Sequence, residues 1–186
     1  FQYNPVRNEL RVYEGLEVSL NHSEPLTNPD RPISRFFEPI YQSLVPNSTL
    51  VLEPDYQTPS ILFIHTNNST VQLVLQNLVD WRHEKGFEVH TVSTLATGSS
   101  NSAIKGYIQT AYNTWDNPPE FVVLVGDAGG TFNIPTWTES WSNYNGVGDH
   151  PYSHLDGGDY ISDVFVGRLP FSSTIEFSNI VSKLVS

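Results

Sequence analysis

Cysteine is absent from all 186 residues. Its absence removes disulfides, thiolate zinc sites and a cysteine nucleophile from anything this chain does by itself. Methionine is absent too, even at the first position, so Phe1 is expected to be a processed or cut end. Basic side chains are scarce: 9 Lys and Arg face 20 Asp and Glu, for a formal net charge of -11. Nucleic acids and anionic membrane surfaces both select a positive footprint, so this balance argues against either partner. No apolar run approaches the roughly 18 residues of a membrane span, and no signal-peptide pattern is present. Nucleotide fingerprints are missing as well. The stretch GDAGG at 126–130 lacks the G-x-G-x-x-G spacing and no G-K-[ST] occurs. A G-x-S-x-G nucleophile elbow is also absent.

What is present is organised around FVVLVGDAGG, residues 121–130. An unbroken, largely β-branched apolar run of this length predicts a strand buried on both faces, in the middle of a parallel sheet. The carboxyl end of such a strand is where open α/β sheets hold their ligands. Asp127, just past that end, is therefore the first acid of interest, although an Asp after a strand is equally a turn former.

The length suits one compact domain and an appendage. Residues 1–22 alternate apolar and polar side chains (Leu10, Val12, Leu16, Val18 and Leu20 on one parity) and predict β-structure, with the first residues as the short arm of a hairpin. Residues 23–60 predict a linker, with a short helix at Phe37–Leu44 capped by Ser34 and forced by Pro39 to start late. From Ile61 the chain becomes regular. ILFIH (61–65) is a strand. Val71, Val74, Leu75, Leu78 and Trp81 mark a helix, opened by a Ser69–Gln72 capping box and closed at Gly86. Residues 87–92 form a second strand, and Ile104 to Trp115 lie on a second helix. The Phe121 strand follows, then a long loop over 127–150, the strand VFVGRL (164–169) and a last helix capped by Ser173 and Glu176. Alternating strands and helices predict βαβ units. The expected fold is α/β: a four-stranded, mainly parallel, doubly wound sheet in order 2-1-3-4 over residues 61–186, flanked by helices, with the amino-terminal β-hairpin appended. His65 and Asp127 would then meet at its carboxyl edge.

The segment DHPYSHLDGGDYISD (149–163) is richest in potential ligands. Hard carboxylate oxygens on a glycine-rich loop suit Ca²⁺, but the spacing is not that of an EF-hand, and a solvated acidic loop is the more ordinary explanation. A metal site, if built, would use Asp127, Asp159 and Asp163. His150 and His154 are four apart, yet Pro151 argues against a helix there and so against a shared face for zinc. His65 has no nucleophile to serve as a base. Arg168, at the end of a buried strand, is expected to pair with Asp127 or Asp159. Sequons at Asn21, Asn47, Asn67 and Asn68 matter only in a glycosylating secretory pathway.

Four segments, in order, give a resemblance. LVDWRHEKGFEVHTV, AIKGYIQTAYNTWDNPPEFVVLVGDAG and DGGDYISDVFVGRLPFSS resemble the first catalytic subdomain of the gingipain-like cysteine peptidases, and FQYNPVRNELRVYEGLEVSL resembles the tail of their pro-segment. The resemblance implies a caspase-like fold, secretion, a zymogen and bound calcium. It also implies a catalytic histidine and cysteine in a second subdomain, which nothing here matches, so no catalytic residue is carried over. The expected partners are that second subdomain and, for the whole protein, peptide substrates. Arg31 and Arg35 are candidates for pro-segment cleavage. Two rival readings are a non-peptidase relative acting as a surface or secretion component, and a flavodoxin- or receiver-like binding module centred on Asp127.

Overall fold

The computed structural model describes residues 2–12, 32–44, 56–141 and 144–186. The chain divides into two compact units, Phe1–Arg31 and Pro32–Ser186. In the first, β1 (Gln2–Asn4) and β2 (Glu9–Arg11) pair antiparallel, with Asn4 facing Glu9. The Asn4 side-chain oxygen accepts from the backbone N–H of Val6 and Arg7 and so closes the turn. The alternation expected over residues 13–20 lies outside the described residues.

The second unit opens with α1 (Glu38–Leu44). Ser34 precedes it, its Oγ accepting from Phe36 and Phe37 N–H, and Pro39 occupies the first turn, where a missing N–H costs nothing. Then β3 (Ser60–His65) leads to α2 (Ser69–Glu84), β4 (Glu88–Ser93), the short α3 (Thr94–Thr97), α4 (Asn101–Thr114) and β5 (Phe121–Val125). A hairpin follows, β6 (Trp137–Trp141) and β7 (Tyr144–Gly148), then a 3₁₀ turn at His150–Ser153, β8 (Phe165–Leu169) and α5 (Thr174–Leu184).

The four long-range strands make one parallel sheet in the order β4-β3-β5-β8. This is the 2-1-3-4 winding that the alternating pattern predicts. Period two along β3 sends its side chains to opposite faces. Leu62 and Ile64 join Ile104, Ile108 and Ala111 of α4, together with Val122 and Leu124 of β5. Ile61 and Phe63 face the other way, onto Val71, Leu75 and Leu78 of α2 and Phe177 and Val181 of α5. Helices thus cover both faces, which is what an apolar strand without alternation demands. Each fully buried Leu, Ile or Phe here contributes about 1.5–3 kcal/mol relative to exposure.

Three local expectations are corrected. The cap of α2 is Asn68, not Ser69: its side chain accepts from Thr70 and Val71 N–H. Asn and Ser are both good caps, and Asn68 is the one with extended backbone. At α5, Ser173 caps Glu176 N–H, but the Glu176 carboxylate reaches back one residue further, to Ser172 N–H and Oγ at 2.8 Å each. Finally, the 127–150 segment is no plain loop. It holds the β6–β7 hairpin, Trp137 opposite Gly148 and Trp141 opposite Tyr144.

Candidate functional site

The carboxyl edge of the sheet is covered by the segment from Gly126 to Asp163. Its placement begins at Gly126, which has φ +153 and where a Cβ would run into the Phe132 carbonyl oxygen. Only glycine lets the chain leave β5 this close to its own returning backbone. Asp127 N–H donates to that same Phe132 carbonyl at 3.0 Å, and Ile134 N–H donates to the Asp127 carbonyl at 2.8 Å. The Asp127 carboxylate is exposed and accepts from Ala128 N–H at 2.7 Å. Asp127 therefore shapes the turn after β5.

Arg168 of β8 holds the segment down. Its Nε and NH2 grip the two Asp149 oxygens at 2.7 Å each, a bidentate fork, while NH1 donates to the Gly126 carbonyl at 3.0 Å and the Ile134 carbonyl at 2.8 Å. The expected pairing of Arg168 with Asp127 or Asp159 is thus corrected to Asp149. The hairpin carries Asp149 back over the strand ends, a route that periodicity cannot show. The available signal was the tripeptide Asp149-His150-Pro151, a turn opener immediately after β7. One cation so ties together the exit of β5, the incoming side of the hairpin and the start of the 3₁₀ turn. Because the pair is largely buried and the guanidinium meets four acceptor atoms, the arrangement satisfies its charge rather than merely screening it.

Tyr152 is fully buried beneath this clamp, and its hydroxyl donates to the Pro135 carbonyl at 2.6 Å. Burial pushes its phenol up to about 12, with Arg168 pulling down and Asp149 pushing up to smaller extents. Trp137 packs edge-on against it. Thr136 Oγ1 donates to the Gly148 carbonyl and Asn101 Nδ2 to the Thr136 carbonyl, fastening the hairpin base to α4.

The acids beyond Tyr152 serve the backbone. Asp163 Oδ2 accepts from Leu155 and Asp156 N–H at 2.7 and 2.9 Å, and Asp159 Oδ1 accepts from Ile161 N–H at 2.9 Å. Among the described residues no three His, Asp or Glu side chains are grouped so as to hold a metal ion. His150 and His154 do come together despite Pro151. Their Nε2 atoms lie 3.2 Å apart, His150 opening the 3₁₀ turn and His154 standing in extended backbone just past its end. His65, at the end of β3, is buried, with Nδ1 2.8 Å from the Thr66 carbonyl.

A doubly wound parallel sheet with a long strapped insertion at its carboxyl edge places the chain among caspase-like α/β units. The model of Peptidase family C25 matches residues 55–186, and the chain belongs to that family, whose members are cysteine peptidases. It is 27% identical over 194 residues to Lys-gingipain of Porphyromonas gingivalis, covering 99% of this chain and 11% of that protein. It is 26% identical over 200 residues to gingipain R2 of the same organism, covering 99% and 25%. A solved structure described as that of a protease aligns with a TM-score of 0.58 at 28% identity, over 68% of this chain and 27% of the other. The Arg-specific cysteine proteinase gingipain R of P. gingivalis aligns at 0.56 with 20% identity, over 68% and 28%, a likeness of fold. The chain thus spans 11% to 25% of these curated relatives. Among the described residues no helix is long and apolar enough to cross a membrane.

Proposed function

We propose that this chain is the amino-terminal piece of a secreted or surface-exposed cysteine endopeptidase. It comprises the tail of a pro-segment and the first subdomain of the catalytic domain. The observation that carries the reading is a pair of facts. The chain aligns over 99% of its length with gingipains, yet it contains no cysteine. The nucleophile and the histidine that assists it then belong to sequence beyond Ser186. In the whole protein the thiolate attacks the scissile carbonyl carbon, an oxyanion hole stabilises the tetrahedral intermediate, and the imidazole delivers a proton to the leaving amine. This piece scaffolds the second subdomain. No step is routed through calcium; binding by Asp127, Asp159 and Asp163 is proposed from their carboxylates and from the calcium that the resemblance implies, and is tested by calorimetric titration of the chain with Ca²⁺. Of the candidate processing sites, Arg35 is exposed and its guanidinium lies 4.6 Å over the Tyr56 ring, whereas Arg31 lies outside the described residues.

The test is hydrolysis of fluorogenic Arg and Lys peptides with reductant present. The chain alone should release no product above blank, and the parent protein should be active and blocked by thiol alkylation. Alkylation-sensitive turnover by the isolated chain, or an inert parent, would defeat the reading.

A further inference from the structure

We infer that His150 and His154 form a two-histidine site for a late first-row divalent cation such as Cu²⁺, Ni²⁺ or Zn²⁺. The rings stand nearly perpendicular at 89°, centroids 4.1 Å apart, with Nε2 to Nε2 at 3.2 Å. Two imidazole nitrogens each about 2.0–2.1 Å from a tetrahedral Zn²⁺ lie roughly 3.3 Å apart. The observed Nε2 separation is close to that of a shared metal, but both lone pairs aimed at one ion would set the ring centroids about 5 Å apart, so the rings turn outward from 4.1 Å as the ion enters. A hydrogen bond uses one Nε2 proton. Metal binding needs both Nε2 lone pairs, so the donating ring moves its proton to Nδ1, a tautomer change without net proton loss.

The support behind the pair is what makes it a site rather than a chance contact of mobile side chains. Preorganised ligands need a backbone locked on both sides. Asp149, just before His150, is gripped by Arg168. Tyr152, between the two histidines, is fully buried and tied to Pro135. Ser153 Oγ donates to the His150 carbonyl at 2.7 Å and lies 2.9 Å from Ser162 Oγ, and the Ser153 carbonyl accepts from Asp163 N–H. Leu155 N–H, just after His154, is held by Asp163. The Tyr160 ring flanks His154 edge-on at 5.9 Å. His150 is exposed and His154 half-buried, so a bound ion keeps positions open to water or to an exogenous ligand. Imidazole donors favour Cu²⁺, Ni²⁺ and Zn²⁺ over the hard cations that the carboxylates would take. This site does not depend on peptidase activity.

The experiment is titration of chelator-stripped chain with CuCl₂, followed by calorimetry and electron paramagnetic resonance. One equivalent is expected to bind, with hyperfine structure from two nitrogens. His150→Asn and His154→Gln should each weaken binding at least about tenfold and remove one nitrogen from the spectrum. His83→Gln, at an exposed helix position, should change neither. Should His154→Gln unfold, the exposed His150→Asn alone decides. Absence of binding, a spectrum unchanged by His150→Asn, or equal loss in His83→Gln would overturn the site.

Discussion

The two ends of β5 bury charge in opposite ways. At its carboxyl end the Arg168–Asp149 fork neutralises itself, ion against ion, with two carbonyls taking the remaining NH1 donor capacity. At its amino end Glu120 is buried, and no cation pairs with it among the described residues. Its Oε2 accepts from Ser60 N–H at 3.3 Å. Burial pushes the Glu120 carboxyl above the usual carboxylate range, while hydrogen bonds from Ser34, Ser60 and Gln57 pull it partly back. A paired buried charge is sensitive to loss of its partner. An unpaired one is sensitive to pH, because taking up a proton is its remaining route to neutrality. The same strand therefore ends in a mechanical clamp on one side and a titratable plug on the other.

The sharpest way to break the comparison is at the clamp. Arg168→Met strands the Asp149 carboxylate and two carbonyls, and should cost about 3–5 kcal/mol in urea unfolding followed by circular dichroism. Adding Asp149→Leu to it should recover part of that loss, because the buried charge disappears and only the carbonyls stay unpaired. A loss under about 1 kcal/mol for Arg168→Met would mean that the segment is not held by this ion pair. Next in size is Tyr152→Phe, which keeps the ring against Trp137 but leaves the Pro135 carbonyl without its donor. About 1–2 kcal/mol is expected, with no change in the slope against pH.

The contrast also explains which elements are legible in the sequence. The sheet was legible because 61–65, 121–125 and 165–169 are short apolar runs, and because the intervening helices keep a clean 3.6-residue period. The insertion was not. Its strands, WTESW and YNGVG, alternate weakly, and the second is glycine-rich, so periodicity does not mark their pairing. Arg168 could be recognised as a buried cation needing an acid. Choosing Asp149 over Asp127 required knowing that the hairpin returns the chain to the strand ends. The same blindness hid the two histidines: Pro151 correctly excluded an α-helix, but a 3₁₀ turn tolerates proline at its start, and the extended backbone of His154 just after it brings that ring back to His150. At Asn68 and Ser69 two good caps stand side by side, and propensity alone does not separate them.

The amino end offers the smallest effect and the clearest sign. Because the folded-state value of Glu120 is raised, the folded protein holds that proton more tightly than the unfolded chain does. Its contribution to stability therefore falls as pH rises from the ordinary carboxyl range through the raised value, and is level above it. Glu176 runs the other way. Hydrogen bonds from Ser172 depress it, so it adds stability above the ordinary carboxyl range that is lost as pH falls through its lowered value. Glu120→Gln should remove the first trend alone: a shallower fall in stability between mildly acidic and neutral pH, with the acid limb governed by Glu176 unchanged. Unfolding curves collected across that range check it. A slope unchanged by Glu120→Gln would mean that water or a donor already stabilises the carboxylate, and the two ends of the strand would then differ in partner only, not in kind.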